Sequence, residues 1–258
     1  MSATTIPAAT ILIVRDSPHG LEVFMVKRHH QIDFVAGALV FPGGKVTVGD
    51  GQEALRQYAD GVEDIDTEMH GVLAAAIREA FEESGILFAR PAGETELVSG
   101  TRLIELASYR RRLETQEITL LEMLQREQLR LAYDRLVHFA HWITPENMPK
   151  RFDTHFFVAE APAGQIGTHD GRESVDSLWI TPHDAITDRK RWNVIFPTKL
   201  NLMKLARSGS VATALDAARA SQPLTVTPWV EQTPDGSVLR IRDDAGYEQT
   251  QALLKDSL

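Results

Sequence analysis

Residues 70–86 constrain this chain more than any other stretch, because apolar and acidic side chains separate there at helical spacing. Each residue of an α-helix turns about 100°, so with Glu79 at zero, Glu83 falls at about 40° and Glu82 at about 300°. Leu73, Ile77 and Phe81 fall at about 120°, 160° and 200°. The pattern predicts a helix over residues 70–84, stopped by Gly85, that buries one side and presents three carboxylates on the other. Carboxylates three and four residues apart repel by roughly a few tenths of a kcal/mol per pair. Arg78, four residues before Glu82, offsets part of this, and a divalent cation would offset more. Mg²⁺ is a hard ion that prefers oxygen ligands, so such a triad is a sound platform for it. An acidic helix face ordinarily just meets water. The full string Arg-Glu-x-x-Glu-Glu-x-Gly over 78–85, however, arises by chance only about once per 10⁶ positions at average residue frequencies.

A chain of 258 residues can bury a sizeable core without covalent staples. The formal net charge of -9 disfavours nucleic acid or anionic membrane as a general partner. An anionic small molecule would need a metal or a basic pocket. The absence of cysteine excludes disulfides, thiolate metal sites and cysteine nucleophiles, and suits a cytoplasmic location. The first twenty residues read as a strand rather than a signal peptide, and no run of 18 apolar residues predicts a membrane span.

Along the chain, residues 9–14 and 21–26 predict a hairpin around Asp16-Ser17-Pro18-His19-Gly20. Residues 36–41 predict a third strand, stopped by Pro42-Gly43-Gly44. Residues 52–66 are polar, have no clear partner face and read as an insertion. Residues 101–131 predict two helices. Strands follow at 137–143, 152–159 and 175–180, helices at 193–206 and 211–218, and a terminal hairpin from 226–230 and 238–241. Trp142, Phe156, Phe157 and Trp179 read as core residues. The nine histidines show no metal-ligand spacing along the sequence.

The string Arg78-Glu79-Ala80-Phe81-Glu82-Glu83-Ser84-Gly85-Ile86 resembles the core of the Nudix box, Gly-x5-Glu-x7-Arg-Glu-U-x-Glu-Glu-x-Gly-U, where U is bulky and apolar. Gly44 and Asp50 stand where the first half of the box has Gly and Glu. Twenty-seven residues, instead of seven, then separate Asp50 from Arg78. Arg28, Gly37 and Phe41-Pro42-Gly43-Gly44 lie at spacings similar to those of the coenzyme A diphosphatase branch, with His29 and Asp33 departing from its pattern. The split box, Trp142-Ile143-Thr144-Pro145, residues 151–157 and Phe196-Pro197-Thr198 resemble the acyl-coenzyme A diphosphatases of peroxisomal type and their bacterial relatives.

This resemblance implies an α/β fold, an α/β/α Nudix sandwich with a mixed sheet. Residues 1–190 would form the domain, with insertions at 51–69 and 100–135. Residues 191–258 would form a helical extension ending in a hairpin. It implies Mg²⁺, with Mn²⁺ as an alternative, held by Glu79, Glu83 and Glu82 and by the carbonyl of Gly43. Gly43 and Gly44 would allow a sharp turn and close backbone approach. Arg78 would orient a carboxylate, and Glu82 would serve the reaction directly. Glu173 is the first candidate for general base or distal ligand, ahead of Asp153 and Glu160. Arg28, Gly44 and Arg151 are candidates for contact with the substrate diphosphate. The implied reaction is hydrolysis of a diphosphate bond in coenzyme A or acyl-coenzyme A. ADP-ribose or nucleotide-sugar hydrolysis, a non-catalytic ligand-binding domain and a scaffold are the alternatives. The helical segments also admit a homodimer contact.

Overall fold

The structure, a computed structural model, describes residues 4–29, 37–172, 174–234 and 236–254. It begins with the expected hairpin. β1 (Thr5–Ser17) and β2 (Gly20–Arg28) pair antiparallel, with Val14 opposite Val23. β3 is short (Leu39–Val40) and pairs with β2. The chain does not leave the sheet at the glycines, as the sequence suggested. Gly43–Lys45 forms β4, antiparallel to β1 with Gly44 opposite Ala9.

The polar stretch that follows is α1 (Glu53–Arg56) and β5 (Ala59–Asp60). Next comes α2 (Thr67–Ser84), which starts one turn earlier than its apolar periodicity indicated. Asp66 sets that start, since its side chain accepts a hydrogen bond from Met69 N at 2.8 Å. β6 (Ala89–Pro91), α3 (Gly100–Glu114), α4 (Leu120–Glu127) and β7 (Leu129–Ala132) come next. A side-chain and backbone exchange between Thr119 and Glu122 opens α4 as a capping box. β5, β7 and β6 form a small sheet in that order, so the two inserted segments pair with each other. Asp60 reinforces the junction through Arg130 at 2.6 Å and Arg90 at 3.1 Å.

β8 (Val137–Ile143), β9 (Arg151–Glu160) and β10 (Ser174–Ile180) complete the main sheet. Its path is β10-β2-β1-β9-β8-β11, and β1 runs parallel to β9 over ten register pairs, so the sheet is mixed. After α5 (Pro182–Thr187), α6 (Phe196–Leu205) and α7 (Val211–Arg219), the two-residue β11 (Thr225–Val226) joins the β8 edge. β12 (Trp229–Thr233), β13 (Gly236–Arg240) and β14 (Gln251–Leu253) make a separate three-stranded sheet. The expected terminal hairpin is thus β12 and β13, with residues 225–226 drawn off to the main sheet.

Strand alternation divides the core. Ala9, Ile11, Ile13, Phe24 and Val26 pack with α2 and the inserted helices. Leu12, Val14, Val23 and Met25 pack on the opposite face with α6 and α7. Helices therefore cover both faces of a mixed sheet, which is the α/β/α sandwich expected. Among the described residues no helix is long and apolar enough to cross a membrane.

Candidate active site

The sequence pattern predicted that α2 would bury one side and present its carboxylates on the other. Burial extends beyond the apolar side to thirteen of its eighteen residues, because the main sheet lies on one side and residues of α3, α4 and β7 on the other. Burying Leu73, Ile77 and Phe81 stabilises this placement by about 1.5–3 kcal/mol per side chain. The acidic residues lie in a crevice between the last two turns of α2 and β4, with Glu83 only 8% exposed.

Arg78 organises the crevice. Its Nε and Nη2 donate to the two oxygens of Asp50 at 2.8 and 2.9 Å. Its Nη1 donates to Glu79 at 2.9 Å and to Glu82 at 3.2 Å, and Nη2 also reaches the Lys45 carbonyl at 2.9 Å. Asp50 is itself anchored by Thr47 N and Oγ1, both at 2.8 Å. The displaced first half of the box is therefore back in place spatially. The inserted segment, α1 and β5, loops out between Asp50 and α2 without parting Asp50 from Arg78.

The glycines serve close approach rather than a sharp turn. A Cβ on Gly44 would come within 2.4 Å of a Glu79 carboxylate oxygen, and one on Gly43 within 2.4 Å of the Ala9 carbonyl. Gly43 N donates to Glu83 Oε2 at 2.9 Å, so β4 orients one carboxylate and makes room for another.

One guanidinium thus faces Asp50, Glu79 and Glu82, with Glu83 beside them, which leaves an excess of negative charge in a poorly hydrated space. Burial, and secondarily the neighbouring Glu79 and Asp50, push the Glu82 carboxyl up to about 8 against the pull of Arg78. Glu82 Oε1 is buried without a hydrogen-bond partner among the described residues. Hard oxygen donors in excess, one of them with an unused buried lone pair, fit a small divalent cation.

Residues missed in the sequence hold the end of α2. Arg110, from the inserted α3, donates through Nε and Nη2 to the Glu82 carbonyl at 3.3 and 3.1 Å, and through Nη2 to the Thr168 carbonyl at 2.9 Å. A cation there complements the negative end of the helix dipole. Gly85 takes the left-handed conformation, with φ +70°, and a Cβ on it would lie 2.9 Å from Arg110 Nη1. Thr168 N adds a hydrogen bond to the Ser84 carbonyl at 2.8 Å. Nothing in local periodicity marks Arg110, since its partners are 28 and 58 residues away.

The remaining candidates are spread along the sheet. Arg28 ends β2 in phase with Phe24 and Val26, on the α2 side, and its Nε is buried without a hydrogen-bond partner. Arg151 opens β9, is buried, and donates from Nε to the Thr144 carbonyl at 3.1 Å. Asp153 lies within β9, 2.5 Å from His141 Nε2. Glu160 is exposed at the end of β9. Glu173 lies outside the described residues. Of the aromatics, Trp142, Phe156 and Phe157 are in the core as expected. Trp179 is half-buried, edge-on to Phe24 and stacked under Arg15 at 4.2 Å.

A mixed sheet carrying a carboxylate helix, locked by an arginine and a glycine strand, defines a Nudix domain. In agreement, the fold is similar to a crystal structure of a Nudix hydrolase from Alicyclobacillus acidocaldarius. The TM-score is 0.68 at 23% identity, covering 85% of this chain and 99% of that one. The chain belongs to the family described as the NUDT19 Nudix domain, whose family model matches residues 64–202. It is 25% identical over 216 residues to the acyl-coenzyme A diphosphatase NUDT19 of Xenopus laevis, covering 68% of this chain and 57% of that protein. It is 26% identical over 212 residues to the Gallus gallus protein of the same name, covering 66% and 56%. The chain spans little more than half the length of these relatives.

Proposed function

We propose that this chain is a divalent-metal-dependent diphosphatase acting on coenzyme A or an acyl-coenzyme A. The observation that carries the reading is the carboxylate cluster around Arg78, with its surplus charge and the buried, unpartnered Glu82 Oε1. The substrate class is supported by likeness to proteins named acyl-coenzyme A diphosphatase and by the spacing of Arg28, Gly37 and residues 41–44.

Glu79, Glu82 and Glu83, with the Gly43 carbonyl, would hold Mg²⁺ or Mn²⁺. The bound ion supplies neutralising charge at the diphosphate and makes water more acidic. The protein's own groups do the rest. Arg78 positions Glu79 and Glu82, and the Gly43 amide positions Glu83. Water adds through its oxygen to phosphorus, the bridging P–O bond breaks, and a carboxylate takes the water proton. Glu173 would be the first candidate for this role, and Glu82 the alternative. Arg28, on the α2 side of the sheet, would pair with a substrate phosphate.

The test is hydrolysis by the full chain of coenzyme A, acyl-coenzyme A, ADP-ribose and a nucleotide sugar with Mg²⁺ or Mn²⁺, with products separated by chromatography. A phosphopantetheine product and adenosine 3′,5′-bisphosphate are expected, with turnover reduced at least about 10²-fold in Glu83→Gln. Hydrolysis of ADP-ribose alone would remove coenzyme A and keep the chemistry. No hydrolysis of any of the four would remove both.

A further inference from the structure

A second group of ligating side chains lies on the same face of the main sheet as the carboxylates. His141 and His155 are a cross-strand pair on β8 and β9, with rings stacked at 4.0 Å between centroids. Asp153, two residues before His155, shares its face. His141 Nε2 lies 2.5 Å from Asp153 Oδ1. One ligand atom from each of His141, Asp153 and His155 falls within 4.8 Å of the others. His138 joins them through an irregularity. Residues 138 and 141 should point to opposite faces of a regular strand, but a bulge between His138 and Ala140 shifts the phase and brings both to one side.

We propose that His141, Asp153 and His155 form a binding site for a divalent transition-metal ion of the zinc type, separate from the box carboxylates. The donor chemistry separates the two sites. Two imidazoles and one carboxylate select zinc-like ions, whereas an all-oxygen set selects Mg²⁺. The surroundings have the form that ligating histidines require, in which the second ring nitrogen is engaged by another group. His141 Nδ1 lies 2.8 Å from Thr225 Oγ1 and His155 Nδ1 lies 3.1 Å from His138 Nε2. The His155 contact leaves its Nε2 for the ion, and at His141 the ion would displace the proton that Nε2 shares with Asp153 Oδ1 at 2.5 Å. Three protein ligands leave a fourth position for solvent or a small anion, the arrangement of open zinc sites. Thr225 belongs to β11, which pairs with the edge of β8 from a distant part of the chain.

The site lies close to the Nudix crevice. Gly44 pairs with Ala9 and Ala9 with His155, so two strand spacings, about 10 Å of backbone, separate β4 from the histidine. The inference does not rest on the diphosphatase reading, and its test reads binding rather than turnover.

The experiment is titration of the chelator-treated full chain with Co²⁺ and Zn²⁺ in excess Mg²⁺, followed by calorimetry and by the visible spectrum of bound Co²⁺. One equivalent is expected, with the spectrum of a nitrogen-containing site of low coordination number. It should persist in Glu79→Gln/Glu83→Gln and vanish in His141→Ala/His155→Ala. Thr225→Ala should weaken it by about 10–100-fold, as loss of an outer partner does. In the unsubstituted chain, Zn²⁺ should shift the imidazole ¹⁵N resonances of His141 and His155, a readout that does not depend on the variants folding. Absence of saturable binding under Mg²⁺, undiminished binding in the double histidine variant, or unmoved imidazole resonances would each overturn the proposal.

Discussion

Asp50 and Arg78, 28 residues apart in sequence, meet through a two-pronged ion pair in which both Asp50 oxygens are engaged, at 2.8 and 2.9 Å. The contact lets the chain carry an inserted helix and strand between the two halves of its box and still hold the crevice closed. Removing one partner leaves the other's charge buried. Asp50→Ala should therefore cost about 3 kcal/mol or more of stability, the lower end of the effect of breaking a buried pair, because Glu79 and Glu82 still face Arg78. Urea unfolding measures this. A change under about 0.5 kcal/mol, the size of an ordinary surface substitution, would mean that the ion pair does not hold the split box together.

Gly44→Ala separates room from charge, since it adds one methyl group and removes no hydrogen bond. That methyl would meet the Glu79 carboxylate at 2.4 Å, so either Glu79 moves or β4 does. The expected cost is about 1–3 kcal/mol of stability, with turnover down about 10²-fold, as for a reacting group displaced by an ångström. Turnover kinetics beside a thermal melt check it. A variant with unchanged turnover would show that Glu79 is not placed by Gly44.

Much of this was legible in the sequence where a single element carries the signal. α2, its glycine stop, the β1–β2 hairpin and strands β8 to β10 all have local periodicity or turn residues. What escaped depends on partners far away. β5 has two residues and is a strand only because β7, some seventy residues later, pairs with it. β4 was hidden because glycines usually end strands, whereas here they admit Glu79 and the β1 backbone. The histidine cluster was hidden because regular alternation puts residues 138 and 141 on opposite faces, and only the bulge at Phe139 brings them to one side. α5 had a usable signal, the Thr181 cap followed by Pro182 and Asp184, with Asp184 N reaching Thr181 Oγ1 at 3.1 Å.

Lys204 offers a pH test of the face opposite α2. Its ammonium donates to the Phe139 carbonyl at 2.7 Å and lies over the Phe139 ring, and burial, with Arg207 adding repulsion, lowers its pKa to about 8. His138, on the other side of the sheet, is the further titratable group that feels it. The unfolded value is 10.5, so between pH 8 and 10.5 the unfolded chain binds more protons and stability must rise with pH. The penalty is full below pH 8 and gone above 10.5. The stability of Lys204→Met relative to the unsubstituted chain should therefore decline across that window, in paired urea titrations. A constant difference from pH 7 to 10.5 would show that Lys204 titrates normally.

The inserted α3 contributes to the crevice through one side chain, and a double-mutant cycle isolates it. Gly85→Ala forces a non-glycine residue into the left-handed region, costing about 1–2 kcal/mol. It also drives a methyl to within 2.9 Å of Arg110 Nη1. Arg110→Ala removes the charge-assisted bonds to the Glu82 and Thr168 carbonyls, about 1.5–3 kcal/mol. With Arg110 gone the methyl has space, so the double variant should lose less than the sum of the single losses, by about 0.5 kcal/mol or more. Because the Glu82 carbonyl belongs to the turn that carries the acidic residues, Arg110→Ala should also lower turnover, and Arg110→Lys, which restores a cation at the helix end, should recover part of it. Strict additivity in the cycle, with turnover untouched by Arg110→Ala, would separate the inserted helix from the placement of the carboxylates.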